Sequence, residues 1–390
     1  MPRIYLDYNA TTPLDPDVLE DVCNVLKNIS GNPSSLYEEG RAARILIEDS
    51  RQFIKLFLDA NFEDELIFTS SGTESINLAI VGYINRLMSV NKDKDRKLHI
   101  ITTAVEHHAV LNTFQFLETQ GIETTYIGIN NFGELLIDDL LSSIKENTVL
   151  ISIMGANNET GTIFPLKNII NEIKKINENI VIHSDVVQVI GKHYFSLKDT
   201  PLDMCSFSGH KFYAMKGNGV LYIKKGIKID PIIHGGHQER GYRGGTENTA
   251  GIVSIAKALE IVKNNAEENL KKINFLGSMF LDKLFSAVDN VRLNGHPVNR
   301  LKNTINISID GIKAETLLFN LDLYGISASA GSACNAGALV KSHVLEAHGY
   351  DGARVQSAIR FSIGRWTTED DIEYAVNAVK KSVLKLRSLQ

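Results

Sequence analysis

The amino-acid sequence predicts an α/β protein, a mainly parallel sheet covered by helices on both faces, joined to a smaller α+β region. Three observations predict it. Between about residue 60 and residue 225, short β-rich runs alternate with longer segments of helical periodicity. From about residue 250 the pattern changes to a long helical stretch, two separated strands and a final helix. No internal repeat and no Pro/Ser-rich linker separates the two parts, so they are expected to pack firmly together.

The strands expected in the first part are Leu66 to Thr69, Leu98 to Thr102, Val149 to Met154, Val181 to Ser184, Met204 to Ser208 and Val220 to Lys224. Helices such as Ile76 to Leu87 and Leu166 to Ile176 lie among them, and an earlier one carries Val18, Val22, Cys23 and Leu26 on one apolar face. In the second part a helical stretch runs through Val262, strands fall near Thr304 to Ile309 and Ile359 to Ile363, and a last helix follows. Thr367 or Thr368 can cap that helix with Asp370 or Asp371 three residues on, and Ile372, Ala375, Val376, Val379 and Val383 form its buried stripe.

Composition narrows the function. At roughly 150 residues per domain, 390 residues suggest two or three domains with ample apolar material for a core. Lys and Arg number 41 against 46 Asp and Glu, a net charge of −5 that offers no footprint for nucleic acid or anionic lipid. The mixed-sign run Lys92 to Lys97 reads as a solvated loop. No apolar run reaches the ~18 residues of a membrane span, and the N-terminus has no apolar signal core. A soluble protein of a reducing compartment, the cytoplasm, is expected. The three cysteines, Cys23, Cys205 and Cys334, are too far apart for a disulfide framework or a structural zinc site. Cys23 and Cys205 read as packing residues. Among the histidines only His234 and His237 approach ligand spacing, and the Gly-Gly between them suggests a turn, so no metal is expected.

Three segments carry chemistry. Ser70-Ser71-Gly72-Thr73-Glu74 leads from a strand into a helix, whose N–H groups and positive dipole end suit a phosphate held by Gly72 and Thr73; an ordinary N-cap is the alternative. Asp185 stands at the C-terminal end of a buried strand, where ligands bind in open α/β sheets and where a carboxylate can keep a heterocyclic nitrogen protonated; it can equally cap the next helix. Lys211, in Ser208-Gly209-His210-Lys211, again follows a buried strand, where a lysine with a lowered pKa can form a Schiff base, although most lysines are simply solvated. Together, a phosphate cup, a carboxylate for a pyridinium and a Schiff-base lysine in that order are what pyridoxal 5′-phosphate requires.

A further segment, Ser327 to Ala338, is almost all small residues with two glycines and is expected to move. It carries Cys334, the only thiol on a flexible loop, which as a thiolate is a soft nucleophile.

The chain also resembles a known family over nearly its whole length, through Tyr5 to Thr12, Gly31-Asn32-Pro33-Ser34-Ser35, Thr73-Glu74-Ser75, Glu106 to Val110 and Asn157 to Gly161. The likeness continues around Asp185 and Lys211, through Gly241 to Asn248, Gly331-Ser332-Ala333-Cys334 and Ile359 to Arg365. It is similar to the class V aminotransferase-like, fold-type I enzymes and, within them, to cysteine desulfurases of the NifS/IscS type.

The resemblance implies a seven-stranded sheet in a large cofactor-binding domain over residues 15–255, with residues 1–14 and 256–390 forming the small domain that carries the Cys334 loop. It implies Lys211 as the cofactor lysine and Gly72, Thr73, Ser208 and His210 as phosphate ligands, with Thr246 reaching the cofactor phosphate of the neighbouring subunit of a homodimer. Asp185 then pairs with the pyridine nitrogen, Gln188 with the ring hydroxyl oxygen, and His107 stacks on the ring and helps move protons. Asn158 and Arg360 hold the substrate amino acid, assisted by Asn32. The implied reaction converts L-cysteine to L-alanine, with sulfur passing to Cys334 as a persulfide. Delivery is then to a protein that accepts sulfur or assembles iron-sulfur clusters. Another reaction of the same fold, such as selenocysteine lyase or aminotransferase, and a non-catalytic scaffold are the rivals. The chain departs from the family pattern at Tyr37, at Gly155-Ala156 and at Asn335-Ala336-Gly337.

Overall fold

The computed structural model describes residues 3–90, 97–330 and 341–389. Its strands, in chain order, are β1 (Ile4–Tyr5), β2 (Glu65–Thr69), β3 (His99–Thr103), β4 (Glu123–Ile127), β5 (Thr148–Ser152), β6 (Val181–Asp185), β7 (Met204–Ser208), β8 (Gly219–Ile223), β9 (Val291–Leu293), β10 (Thr304–Ile309), β11 (Ile326–Ser327) and β12 (Ala358–Ser362). Seven form the central sheet in the order β2-β8-β7-β6-β5-β3-β4. Strand β8 runs antiparallel to both β2 and β7, and the remaining neighbours are parallel. Strands β3, β6, β7 and β8 are buried at every position, as strands covered on both faces must be.

On one face, helices Pro16–Asn28, Glu38–Phe57, Leu166–Ile176 and Thr249–Asn264 enclose the larger core, which includes Ile47, Phe207, Ile170 and Leu259. On the other, helices Gly72–Val90 and His108–Thr119 cover a second core around Leu78, Phe114 and Leu221. The expected strands lie within a residue or two of their positions here, and the helix expected over Ile76 to Leu87 starts four residues earlier and ends three later. The sequence reading missed β4, a half-buried edge strand whose Thr124 and Thr125 weaken the apolar signal.

A third core joins helices Ala266–Ala287, Ala314–Leu323 and Glu369–Arg387 to the sheet β12-β10-β9. Thr368 and Asp371 form the reciprocal cap of the last helix, with Asp371 N donating to Thr368 Oγ1 at 3.2 Å and Thr368 N to Asp371 Oδ2 at 2.9 Å. Its five expected stripe residues are all buried. The N-terminal segment belongs to this region in space: β1 pairs in parallel with β11, and Leu6 is part of the third core. The expected junction at 255/256 falls inside helix Thr249–Asn264, where Ala258, Leu259 and Val262 remain in the larger core.

Two expectations are corrected. Leu26 is 67% exposed and Val25 is buried instead, because a helix that buries Val18 and Val22 has turned past residue 26 by the next turn. The start of the small-residue segment is tied down: Ser327 lies in β11, and Ser329 and Arg360 exchange backbone hydrogen bonds of 3.1 and 2.7 Å. Cys334, the rest of that segment to Ala338, Asn335 and most of the Lys92 to Lys97 run lie outside the described residues. Among the described residues no helix is long and apolar enough to cross a membrane, and no group of three or more His, Cys, Asp or Glu stands ready for a metal.

Candidate active site

A cavity of about 310 Å³ opens at the C-terminal ends of the parallel strands. Asp185 ends β6, Ser208 ends the adjacent β7, and His107 follows β3 on the far side of β5, so three strand ends on one sheet edge deliver three functional groups to one place. From the residues expected in the site, Gly72, Thr73, His107, Asn158, Asp185, Gln188, Ser208, His210, Lys211 and Arg360 all line this cavity.

At one wall, helix Gly72–Val90 begins. A side chain at Gly72 would place its first carbon 3.2 Å from Val187 Cγ2 and 3.5 Å from Ser208 Cβ, so glycine keeps the backbone N–H groups of the helix start close to the cavity without crowding Val187. Ser71 does cap the helix, accepting from Glu74 N at 3.1 Å. The N-cap and the anion cup therefore coexist. Ser208 Oγ donates to Asn218 O at 2.8 Å, and His210 Nδ1 shares a hydrogen bond of 3.1 Å with Thr11 Oγ1.

Asp185 Oδ1 accepts from Val187 N at 2.9 Å, the local turn expected of an Asp at a strand end. Burial pushes its carboxyl up to about 6, against the lowering influence of that N–H and of Lys211. A cationic ring nitrogen would reverse this shift. Behind it lies Glu106, fully buried, whose Oε1 accepts from Met154 N at 2.8 Å and Thr103 Oγ1 at 2.9 Å. Its Oε2 has no hydrogen-bond partner among the described residues. Burial pushes this carboxyl up to about 8; the two hydrogen bonds oppose the rise and the charge of Asp185 adds to it.

His107 caps helix His108–Thr119 by accepting from Ala109 N at Nδ1, 3.1 Å away, which leaves the ring proton on Nε2. Burial, with Lys211 and His108 adding, lowers its pKa to about 4, so the ring is neutral at physiological pH. Lys211 ends the short 3₁₀ turn Gly209–Lys211, and its Nζ donates to the carbonyls of Asn9 and Ala10, both at 2.8 Å. Arg360, 2% exposed on β12, donates from Nη2 to Asp7 Oδ1 at 2.8 Å and from Nη1 to Asn158 O at 2.9 Å. A guanidinium held in this way is a fixed cation at the cavity wall.

Two expected residues lie elsewhere. Asn32 is exposed and accepts from Ser34 N at 2.9 Å, away from the cavity lining. Thr246 lines a separate hollow of about 180 Å³ beside Glu247 and Arg243. Cys205 is completely buried and its thiol is pushed far up by burial, as a packing residue's would be, whereas Cys23 is half-buried. Of the departures from the family pattern, Tyr37 is exposed before helix Glu38–Phe57, and Gly155 has no room for a side chain because Val189 Cγ2 would lie 2.6 Å from its first carbon. Sequence reasoning missed Asn9 and Ala10 as wall residues, and missed Glu106 and Asp7, which bind the wall residues Met154 and Arg360. Their signal was present in the segments Tyr5 to Thr12 and Glu106 to Val110 that carry the resemblance.

The fold agrees with that of solved relatives of the chain. The aminotransferase class-V model matches residues 4–375, and the chain belongs to this family. The cysteine desulfurase IscS of Dictyoglomus turgidum is 42% identical over 389 residues, spanning 99% of this chain and 96% of that protein. Its namesake in Methanosarcina thermophila is 43% identical over 386 residues, spanning 99% and 93%. Among solved structures, a NifS-like protein superposes with a TM-score of 0.91 at 36% identity, covering 98% of this chain and 99% of its own. SspA in complex with cysteine gives 0.78 at 31% identity, covering 94% and 100%.

Proposed function

We propose that this protein is a pyridoxal-phosphate-dependent cysteine desulfurase, converting L-cysteine to L-alanine and taking the sulfur onto Cys334 as a persulfide. The observation that carries this reading is the convergence on one cavity of Lys211, Asp185, His107, the Gly72 helix start and Arg360, in a chain 42–43% identical to cysteine desulfurases. The cavity fits the cofactor in its donor set. Gly72, Thr73, Ser208 and His210 would hold the phosphate, Asp185 the ring nitrogen, Gln188 the ring hydroxyl oxygen and His107 the ring face, with Lys211 as the tethering amine. When bound, pyridoxal phosphate supplies an electron sink that acidifies the α-carbon of the amino acid.

The remaining work belongs to the chain. Arg360 binds the substrate carboxylate and Asn158 orients the substrate beside it. Lys211 Nζ, once released, accepts the α-proton and returns a proton to the carbon skeleton. His107 is neutral, with a proton on Nε2, and serves the proton transfers around the sulfur. The Cys334 thiolate attacks the substrate Sγ: the new S–S bond forms, the Cβ–Sγ bond breaks, and its electron pair stays on Cβ, which is protonated to the methyl group of alanine. The persulfide is then open to a second thiol on a sulfur-acceptor or iron-sulfur assembly protein. We assign the molecule to the cytoplasm as a homodimer, in which Thr246 approaches the partner's cofactor phosphate.

Alanine release from cysteine tests the assignment. A Cys334→Ala variant should lose turnover while keeping the cofactor, and full retention of activity would sink the persulfide step. Borohydride reduction of the purified protein should fix a pyridoxyl group on Lys211. Colourless protein that takes up no pyridoxyl group would overturn the cofactor assignment.

A further inference from the structure

One half-buried lysine beside the cavity has no part in the chemistry above. Lys192 lies four residues beyond Gln188 in a run of turns, and it lines a second cavity of about 340 Å³ that meets the first at Lys211. Nζ donates to Asn9 Oδ1 at 3.0 Å and to Gln188 Oε1, and among the described residues no carboxylate is bonded to it. Burial, with Lys211 and Arg360 adding, lowers its pKa far below the ordinary lysine value. A lysine placed at this cost without an anionic partner calls for a reason in the groups it touches.

Both of those groups are hubs. Asn9 is 2% exposed; its Oδ1 also accepts from Asn303 Nδ2 at 3.0 Å, and its Nδ2 donates to Thr304 Oγ1 at 2.7 Å and Asn158 O at 3.2 Å. Its carbonyl accepts from Lys211 Nζ at 2.8 Å and from Gln188 Nε2 at 3.2 Å. Because a carbonyl oxygen only accepts, the last contact fixes which end of the Gln188 amide is nitrogen. Gln188 itself lines the first cavity, as does Asn9, and its Oε1 accepts from Lys192.

We infer that Lys192 is a positioning residue: by donating to Gln188 Oε1 and Asn9 Oδ1 together, it locks the Gln188 amide with its nitrogen toward the cavity and braces the Asn9 carbonyl that receives Lys211. Without this donor Gln188 Oε1 loses its partner and Asn9 Oδ1 keeps only Asn303 Nδ2, so Gln188 is free to turn its own oxygen toward the cavity. The inference rests on the reading that the cavity takes pyridoxal phosphate and that Gln188 donates to its ring oxygen, where an inverted amide would set two acceptors face to face.

A double-mutant cycle tests it. Cofactor-free wild type, Lys192→Met, Gln188→Leu and the double variant are titrated with pyridoxal 5′-phosphate, following the visible band. Lys192→Met should weaken binding tenfold or more, and in the Gln188→Leu background the same change should cost no more than twofold. Equal costs in both backgrounds, or unchanged binding by Lys192→Met, overturn the inference. Lys192→Leu serves if the Met variant does not fold. A crystal structure of the cofactor-free variant gives a readout independent of turnover: Gln188 Nε2 should leave Asn9 O, and an unmoved Gln188 overturns the inference. If the wild type takes up no cofactor, the functional reading falls, and this structure alone decides the role of Lys192.

Discussion

Asp7 Oδ1 lies 2.8 Å from Arg360 Nη2, an ion pair between residues 353 positions apart that pins the N-terminal segment to the wall of the cavity. The guanidinium side chain is 2% exposed and the carboxylate 17%, so the pair is largely shielded from water. Removing the anion leaves a buried cation. Asp7→Asn should destabilise the fold by about 3 kcal/mol, read as a lower thermal midpoint. Arg360→Ala should lower kcat/KM for cysteine by roughly 100-fold or more, mainly through KM, as expected for a carboxylate anchor.

A second buried pair holds the region next to Thr246. Arg51, 1% exposed, donates to both Glu239 oxygens at 2.9 and 3.0 Å, and Glu239 Oε2 also accepts from Phe68 N at 2.8 Å. Glu239→Ala should cost about 3 kcal/mol, because it leaves the β2 amide unpaired and leaves Arg51 with only the half-exposed Glu48 as a carboxylate partner. The Arg51→Met/Glu239→Gln double variant should recover part of this loss in urea denaturation.

His107 has two separable duties, capping a helix through Nδ1 and presenting its ring to the cavity. His107→Asn keeps a side-chain acceptor at the N-cap. Its thermal midpoint should stay within a few degrees of wild type while kcat falls by roughly 100-fold. A variant that is both stable and fully active would remove His107 from the mechanism.

Glu106 makes the cofactor-free protein pH-sensitive. Its carboxyl is raised from 4.5 to about 8, so between these values the folded state holds a proton that the unfolded chain has lost. Its contribution to stability is therefore full below pH 4.5 and falls as pH rises toward 8. Glu106→Gln cannot ionise. The variant should gain on wild type by more than about 1 kcal/mol between pH 5 and pH 8, and a pH-independent difference would contradict the assigned burial cost.

Much of the site was legible because its residues sit where local signals are strong. Asp185 and Ser208 end apolar strands, and Gly72 starts an amphipathic helix, so strand period and helix-start chemistry place them on one sheet edge. The edge strand β4 escaped because only one of its faces is packed and its threonines read as polar. The Val25-for-Leu26 exchange reflects a turn of 3.6 residues, which a four-residue spacing overshoots.

The sequence by itself determined the α/β class, the order of the phosphate cup, carboxylate and lysine, and the resemblance that assigns their roles, since each rests on residues close together in the chain. Only the tertiary structure decided that Asn9 receives Lys211, that Lys192 faces Gln188 and Asn9 rather than solvent, and that Asp7 meets Arg360. Apart from Lys192 and Gln188, these partners are separated by about two hundred to three hundred and fifty residues, beyond the reach of any local periodicity. The shifts at Asp185 and Glu106 likewise arise from burial, a property that exists only once the sheet and its covering helices have closed around those residues.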